Sequence, residues 1–309
     1  MKNYFKKTIS ILSLLTIGFI ISAVFYYDQS ARKFKEDYNR ATAELYQYKA
    51  SEDQAKKFSQ IASSTLSPAI NSNDPNNLSA NLYHIHFGIL MYHHINYKNH
   101  KLAVRPEILD NQIKYLLDNG YKFVKLSEAF KTFANTTGTV IYDKTLVLTF
   151  DDGYRDFYLN AYPILKKYNV PASLYVINQD IGRPGNVTWE MIKTIHNEGL
   201  IEVGAHTINH LPLSRLRPEK AYYQMAKSKE LLESALGTKI ETIIYPFGDY
   251  NNNVKKQAKD IGFIGAASIY FGDKPNRDDP YAWRRVMVNN RDLGPLLLRK
   301  LFVAYEILK

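Results

Sequence analysis

The feature that most constrains this chain is the alternation, through its second half, of short apolar runs with amphipathic helical segments. The runs at 88–92, 146–150, 172–177, 201–205, 242–245 and 263–267 are too short for helices and are bounded by turn or polar residues, so they read as buried strands. Helical periodicity falls between them. One segment opened by Pro106 puts Leu109, Ile113, Leu116 and Leu117 on one face and stops at Gly120; others cover 163–168, 189–197, 218–236, with Gly237 as its stop, and 252–261. Strand then helix, repeated, calls for a parallel sheet covered by helices, and the expected fold is α/β, a (β/α) barrel. In such barrels the chemistry gathers at the C-terminal ends of the strands.

The first half has a different character. Lys2, Lys6 and Lys7 precede an uncharged apolar stretch at 8–27, long enough to cross a bilayer, with Phe25, Tyr26 and Tyr27 as an interfacial belt. The expectation is an uncleaved membrane anchor over 1–27, with a cleavable signal peptide as the competing reading; the flanking lysines send the remainder outside the cell. Over 28–62, Ala31, Phe34, Tyr38, Ala41, Leu45 and Tyr48 recur at spacings of three and four, the pattern of a helical stalk, either a single solvated helix or a dimeric coiled coil. A Ser-, Asn- and Pro-rich linker is expected at 63–82, which leaves 83–309 as the folded domain. The chain has no cysteine, so disulfides, thiolate metal sites and cysteine nucleophiles are excluded, and any metal must use His and carboxylates. Its net charge of +10 is spread without a dense basic block, which suits an anionic envelope and gives no reason to expect a nucleic-acid partner.

Asp151 and Asp152 follow the run 146–150 directly and precede Gly153, so they stand where a barrel places catalytic groups. The plain alternative is an ordinary Asp-Gly turn. His206 and His210 follow the run 201–205, and their i, i+4 spacing lets both imidazoles face one ion if the segment makes a helical turn. Thr207 occupies the position where a zinc protease of this spacing needs Glu, so the protease reading fails. Two imidazoles and one carboxylate leave open positions on a divalent metal, and the second Asp is then free to act as a base, which is a hydrolase layout.

With these residues the chain resembles the polysaccharide deacetylases, carbohydrate esterase family four, also called the NodB-homology domain. Thr149, Phe150, Asp151, Asp152, Gly153 and Tyr154 resemble the family's first motif, His206 to His210 its second, and Tyr245, Pro246, Phe247 and Gly248 its third. The resemblance implies a distorted (β/α) barrel with Asp151 as catalytic base. It implies Asp152, His206 and His210 as ligands of a divalent ion, with zinc expected, and Tyr245, Pro246 and Phe247 lining the groove, the backbone N–H of Phe247 facing the oxyanion. In two places the chain departs from the pattern. The family's Arg two positions before the Pro is replaced by Ile244, so Arg285 is expected to steady Asp151, and no His follows His210 to serve as the general acid. The poly-N-acetylglucosamine deacetylases carry that His early, and Met91, Tyr92 and His93 resemble their motif, as do the stretches 160–171 and 283–288. His93 is therefore the expected acid, with His94 the alternative.

What the resemblance implies is metal-dependent N-deacetylation of extracellular poly-β-1,6-N-acetylglucosamine, a biofilm adhesin; peptidoglycan, chitin or acetylated xylan would suit the same chemistry. The expected partners are the polysaccharide, the membrane through the N-terminal helix and an exopolysaccharide synthase complex. The expected address is a Gram-positive cell surface, with a single-pass anchor. The rivals are a non-catalytic polysaccharide-binding scaffold, which would be marked by loss of Asp151 or a metal ligand, and a coiled-coil membrane adaptor. Trp189, Tyr270 and Trp283 read as core residues or sugar platforms, and His84, His86, His100 and His196 have no partner at ligand spacing.

Overall fold

All six expected strands form in the computed structural model, which describes residues 86–135, 143–269 and 279–307, within the unit Ser72–Lys309. In chain order the strands are β1 (Phe87–Tyr92), β2 (His94–Ile95), β3 (Ala103–Val104), β4 (Lys122–Phe123), β5 (Thr145–Phe150), β6 (Ala172–Val176), β7 (Ile201–Ala205), β8 (Thr242–Ile244), β9 (Gly265–Ala267) and β10 (Val286–Met287). The helices are α1 (Pro106–Asp118), α2 (Leu126–Asn135), α3 (Tyr162–Tyr168), α4 (Trp189–Asn197), α5 (Pro218–Leu236), α6 (Asn252–Ile261) and α7 (Pro295–Phe302).

The main sheet is parallel at every pairing, in the order β10-β1-β5-β6-β7-β8-β9, with β4 beside the N-terminal end of β5. β1 and β5 are buried at every position, as strands covered on both faces must be. The helices between them follow local rules: α1 opens on a proline, Thr188 and Asn251 cap α4 and α6 by accepting from Met191 N–H and Val254 N–H, and left-handed Gly237 and Gly262 end α5 and α6. The result is a parallel-sheet α/β half-barrel. Trp283, three residues before β10, also makes a single parallel bridge to Ala267 of β9, so the short segment that holds β10 touches both β1 and β9.

The sequence reading missed two helices, α2 and α7, and the short strands, and it ran one strand a residue too far. It passed over α2, although Leu126, Ala129, Phe130 and Phe133 carry helical spacing. The two-residue strands β2, β3, β4 and β10 have no period to detect and exist only through tertiary pairing. β8 stops at Ile244, one residue short of expectation, because Pro246 lacks an N–H and begins a 3₁₀ turn, Pro246–Gly248.

The membrane address needs correction. No helix among the described residues is long and apolar enough to cross a bilayer. The longest, α5, carries Glu219, Lys220, Lys227, Lys229, Glu230 and Glu233 along its length. The stretches read as anchor (1–27), stalk (28–62) and linker (63–82) lie outside the described residues, and the single-pass cell-surface localisation is withdrawn.

Candidate active site

Parallel pairing puts every strand's C-terminal end on one edge of the sheet, and there the polar residues separated in sequence meet. β1 leads into His93, β5 into Asp151 and Asp152, β7 into His206, β8 into the turn of Phe247, and β9 into Ser268. The loops are held in unusual backbone conformations. Asp152 (φ 70°), Thr207 (φ 66°), His210 (φ 57°) and Phe247 (φ 58°) all occupy the left-handed region that L-residues avoid, a local cost concentrated at this edge. Gly248 (φ +65°) belongs to the same group; a Cβ there would lie 2.4 Å from Ile269 Cγ1.

The two adjacent aspartates have different partners. Arg285 is fully buried and grips Asp151 through two bonds, Nη1–H to Oδ1 and Nη2–H to Oδ2, both 2.7 Å. The guanidinium is fixed in turn by Ser268 O at 2.8 Å and Thr149 Oγ1 at 3.0 Å. Burial, the largest single influence, would raise the Asp151 carboxyl pKa, but the charge and hydrogen bonds of Arg285, joined by His93 and His206, together hold the group below its ordinary value.

Asp152 instead faces two imidazoles, with Oδ1 3.4 Å from His206 Nε2 and 3.5 Å from His210 Nε2. Ile244, where the family has an Arg before the third motif, contributes its backbone: its carbonyl accepts from His206 Nδ1–H at 2.7 Å, which turns Nε2 toward Asp152. The ligand atoms of Asp152, His206 and His210 lie within 4.8 Å of one another, and Asp152 Oδ1 is buried with no hydrogen-bond partner. An orphaned carboxylate oxygen between two oriented imidazole nitrogens fits a divalent metal. Burial disfavours the charged Asp152, yet the neighbouring imidazoles, His206 first, pull it far below the usual carboxylate range. His210 is pushed down to about 4, by burial and then by His206, so it is neutral and able to ligate at physiological pH.

The two expected acids separate clearly. His93 Nε2 is 3.9 Å from Asp151 Oδ2 and its side chain is 14% exposed. Burial, the largest influence, lowers its pKa while Asp151 pulls it back up. His94 is engaged elsewhere: Nδ1–H donates to Asp156 Oδ2 at 2.8 Å, and the ring stacks on Tyr154 at 3.5 Å between centroids. Of the groove residues, Tyr245 and Pro246 are buried, whereas Phe247 is 42% exposed with its ring 4.5 Å from that of His210. Trp283 is core, packed among Phe87, Phe130 and Phe133; Trp189 is partly buried against the core, and Tyr270 lies outside the described residues. Sequence reasoning named Thr149 only as part of the first motif and gave it no role, and it did not find Ser268, Asp156 or the Ile244 carbonyl. A Thr two positions before a motif aspartate offers a faint signal, whereas a backbone carbonyl offers none.

Comparison with known proteins places this site in a recognised setting. A sequence model described as polysaccharide deacetylase matches residues 141–266, a span that includes the Asp pair, the His pair and the Phe247 turn. YxkH of Bacillus subtilis (strain 168), provisionally named a polysaccharide deacetylase, is 35% identical over 201 residues, 65% of this chain and 71% of that protein. The poly-β-1,6-N-acetyl-D-glucosamine N-deacetylase of Staphylococcus aureus (strain MRSA252) is 29% identical over 214 residues, 64% of this chain and 71% of its own. Among solved structures, the Streptococcus pyogenes deacetylase PplD, in complex with acetate, superposes with a TM-score of 0.65 at 29% identity, over 70% of this chain and 97% of that one.

Proposed function

The chain belongs to the polysaccharide deacetylase family, metal-dependent hydrolases of N-acetyl amide bonds, and on that premise we propose that its polymer is poly-β-1,6-N-acetylglucosamine and its ion zinc. The observation that carries the reading is the place of His93, which follows the first strand and still stands across from Asp151, 3.9 Å away. That early histidine is the mark of the exopolysaccharide branch, and a relative named for this polymer shares 29% identity. Two imidazoles and a carboxylate are a donor set that zinc accepts with positions left open.

In this reading Asp152, His206 and His210 would hold the ion, which when bound would supply Lewis acidity to a water and to the acetamide carbonyl. Asp151, kept ionised by Arg285, takes the proton of the attacking water. The Phe247 turn, with its left-handed backbone, presents an N–H to the developing oxyanion. An amine leaves poorly unless protonated, and in this reading His93, which faces Asp151 across the site, delivers that proton and is recharged from solvent, as Asp151 gives up its own there.

Acetate release from defined β-1,6 and β-1,4 N-acetylglucosamine oligomers, with chelated and zinc-loaded full chain, tests the proposal. Zinc-dependent release from the β-1,6 series is expected. Preference for the β-1,4 series would move the substrate to a peptidoglycan- or chitin-like glycan, and no release from either would favour a binding scaffold.

A further inference from the structure

The proposed acid has little to hold it in place through its own side chain. His93 meets Asp151 at 3.9 Å, too far for a hydrogen bond, so its distance from the Asp pair must come from its backbone. That backbone is tied on both sides to the loop after β5. Ahead of His93, the Tyr92 carbonyl accepts from Asp151 N–H at 3.0 Å. Beyond it, the Ile95 N–H donates to Asp156 Oδ1 at 3.1 Å, and the Ile95 carbonyl accepts from Asn160 Nδ2 at 2.7 Å. Asp156 Oδ2 also takes His94 Nδ1–H at 2.8 Å and Asn96 Nδ2 at 2.5 Å, so one carboxylate collects three donors from three consecutive residues. The His94 ring lies on Tyr154, two residues from Asp152, which closes the clamp from its other face.

We propose that Asp156, assisted by Asn160, is a positioning residue that sets the distance between the general acid His93 and the pair Asp151 and Asp152. Asp156 lies four residues after Asp152, at the start of the turn into the π-helical stretch Phe157–Ala161, so base, metal ligand and clamp share one loop while the acid is held from outside it. His94 belongs to the clamp and does not deliver the proton. The inference rests on the reading of His93 as the acid.

The test uses zinc-loaded full chain and two substrates. Acetate release from an N-acetylglucosamine oligomer needs a proton on the departing amine, whereas para-nitrophenyl acetate releases a phenolate that needs none. Asp156→Ala is expected to lower kcat on the oligomer about 10²-fold, the scale of a misplaced catalytic group, with KM and zinc affinity by chelator competition unchanged. Its rate on the aryl ester should stay near that of the unaltered protein. Adding His93→Ala to Asp156→Ala should cost little more than His93→Ala alone, because the two act through one group. Should Asp156→Ala fail to fold, Asn160→Ala, which removes a single bond to the Ile95 carbonyl, is expected to show the same pattern at smaller amplitude. Equal loss on both substrates, or weakened zinc binding, would reduce Asp156 to a general support of the fold and overturn the proposal. Full oligomer activity in His93→Ala would remove the acid itself, a failure of the underlying reading that is distinguishable from the clamp failing while His93 remains essential.

Discussion

Asp151 and Asp152 differ by one position and by everything that surrounds them. The strand end turns the first toward Arg285 and the second, at φ 70°, toward the imidazoles. A carboxylate gripped by a guanidinium stays ionised and able to take a proton, while one with a bare oxygen between two ring nitrogens is built to ligate. Asp151→Asn should therefore lose about 10²- to 10⁴-fold in acetate release and keep its affinity for added metal, since Asn still offers Arg285 an acceptor. His206→Ala should lose both, and metal content measured beside activity separates the two. The identities and spacing of these residues were readable in the chain. The separation of His93 from His94 was not, because it depends on Asp156, a residue that carries no motif on its own.

β7 shows what an element contributes beyond the residues at its end. Alternation puts Glu202, Gly204 and His206 on one face of the strand. Gly204 is bare because the Tyr175 ring lies against it: a Cβ there would come 2.2 Å from Tyr175 Cε1. Gly204→Ala must shift strand or ring, at a cost of about 1–3 kcal/mol, read from the urea midpoint, and zinc affinity should fall with it because β7 carries His206. Glu202 accepts from the Ser127 hydroxyl and N–H, from Tyr175 Oη at 3.3 Å and from Thr242 Oγ1 at 3.2 Å, which pins the start of α2 to the sheet. Burial raises its pKa despite these donors. A carboxyl that holds its proton more tightly folded than unfolded stabilises fully below the unfolded value, about 4.3, and that contribution is lost as pH rises through the folded value. Glu202→Gln should flatten this loss, so the stability difference between variant and unaltered protein should move in favour of the variant as pH rises from about 4. A pH-independent difference would show that Glu202 does not titrate on folding.

Across the whole molecule, the parallel sheet carries loops from distant parts of the chain to one edge, and a metal there would link the end of β5 to the end of β7. Zinc at a hundredfold excess over its Kd should add about 2.7 kcal/mol of stability and raise Tm by roughly 5–10 °C, an effect that His206→Ala should abolish in a thermal melt. By itself the sequence determined the alternation of strand and helix, and hence a parallel sheet, because burial periodicity is local and survives in one dimension. It also supplied the candidate donor set, since Asp and His types at fixed spacing behind apolar runs are local facts. Tertiary structure alone decided what binds what across the sheet: Arg285, 134 residues from Asp151, reaches it because the segment holding β10 meets both β1 and β9. It likewise decided that Ile244 contributes a carbonyl, that Tyr245 and Pro246 are buried while Phe247 is exposed, and that Asp156 ties down the segment holding His93. Each of these is a long-range pairing whose partner is chosen by strand order and register, and no short window of sequence contains both members.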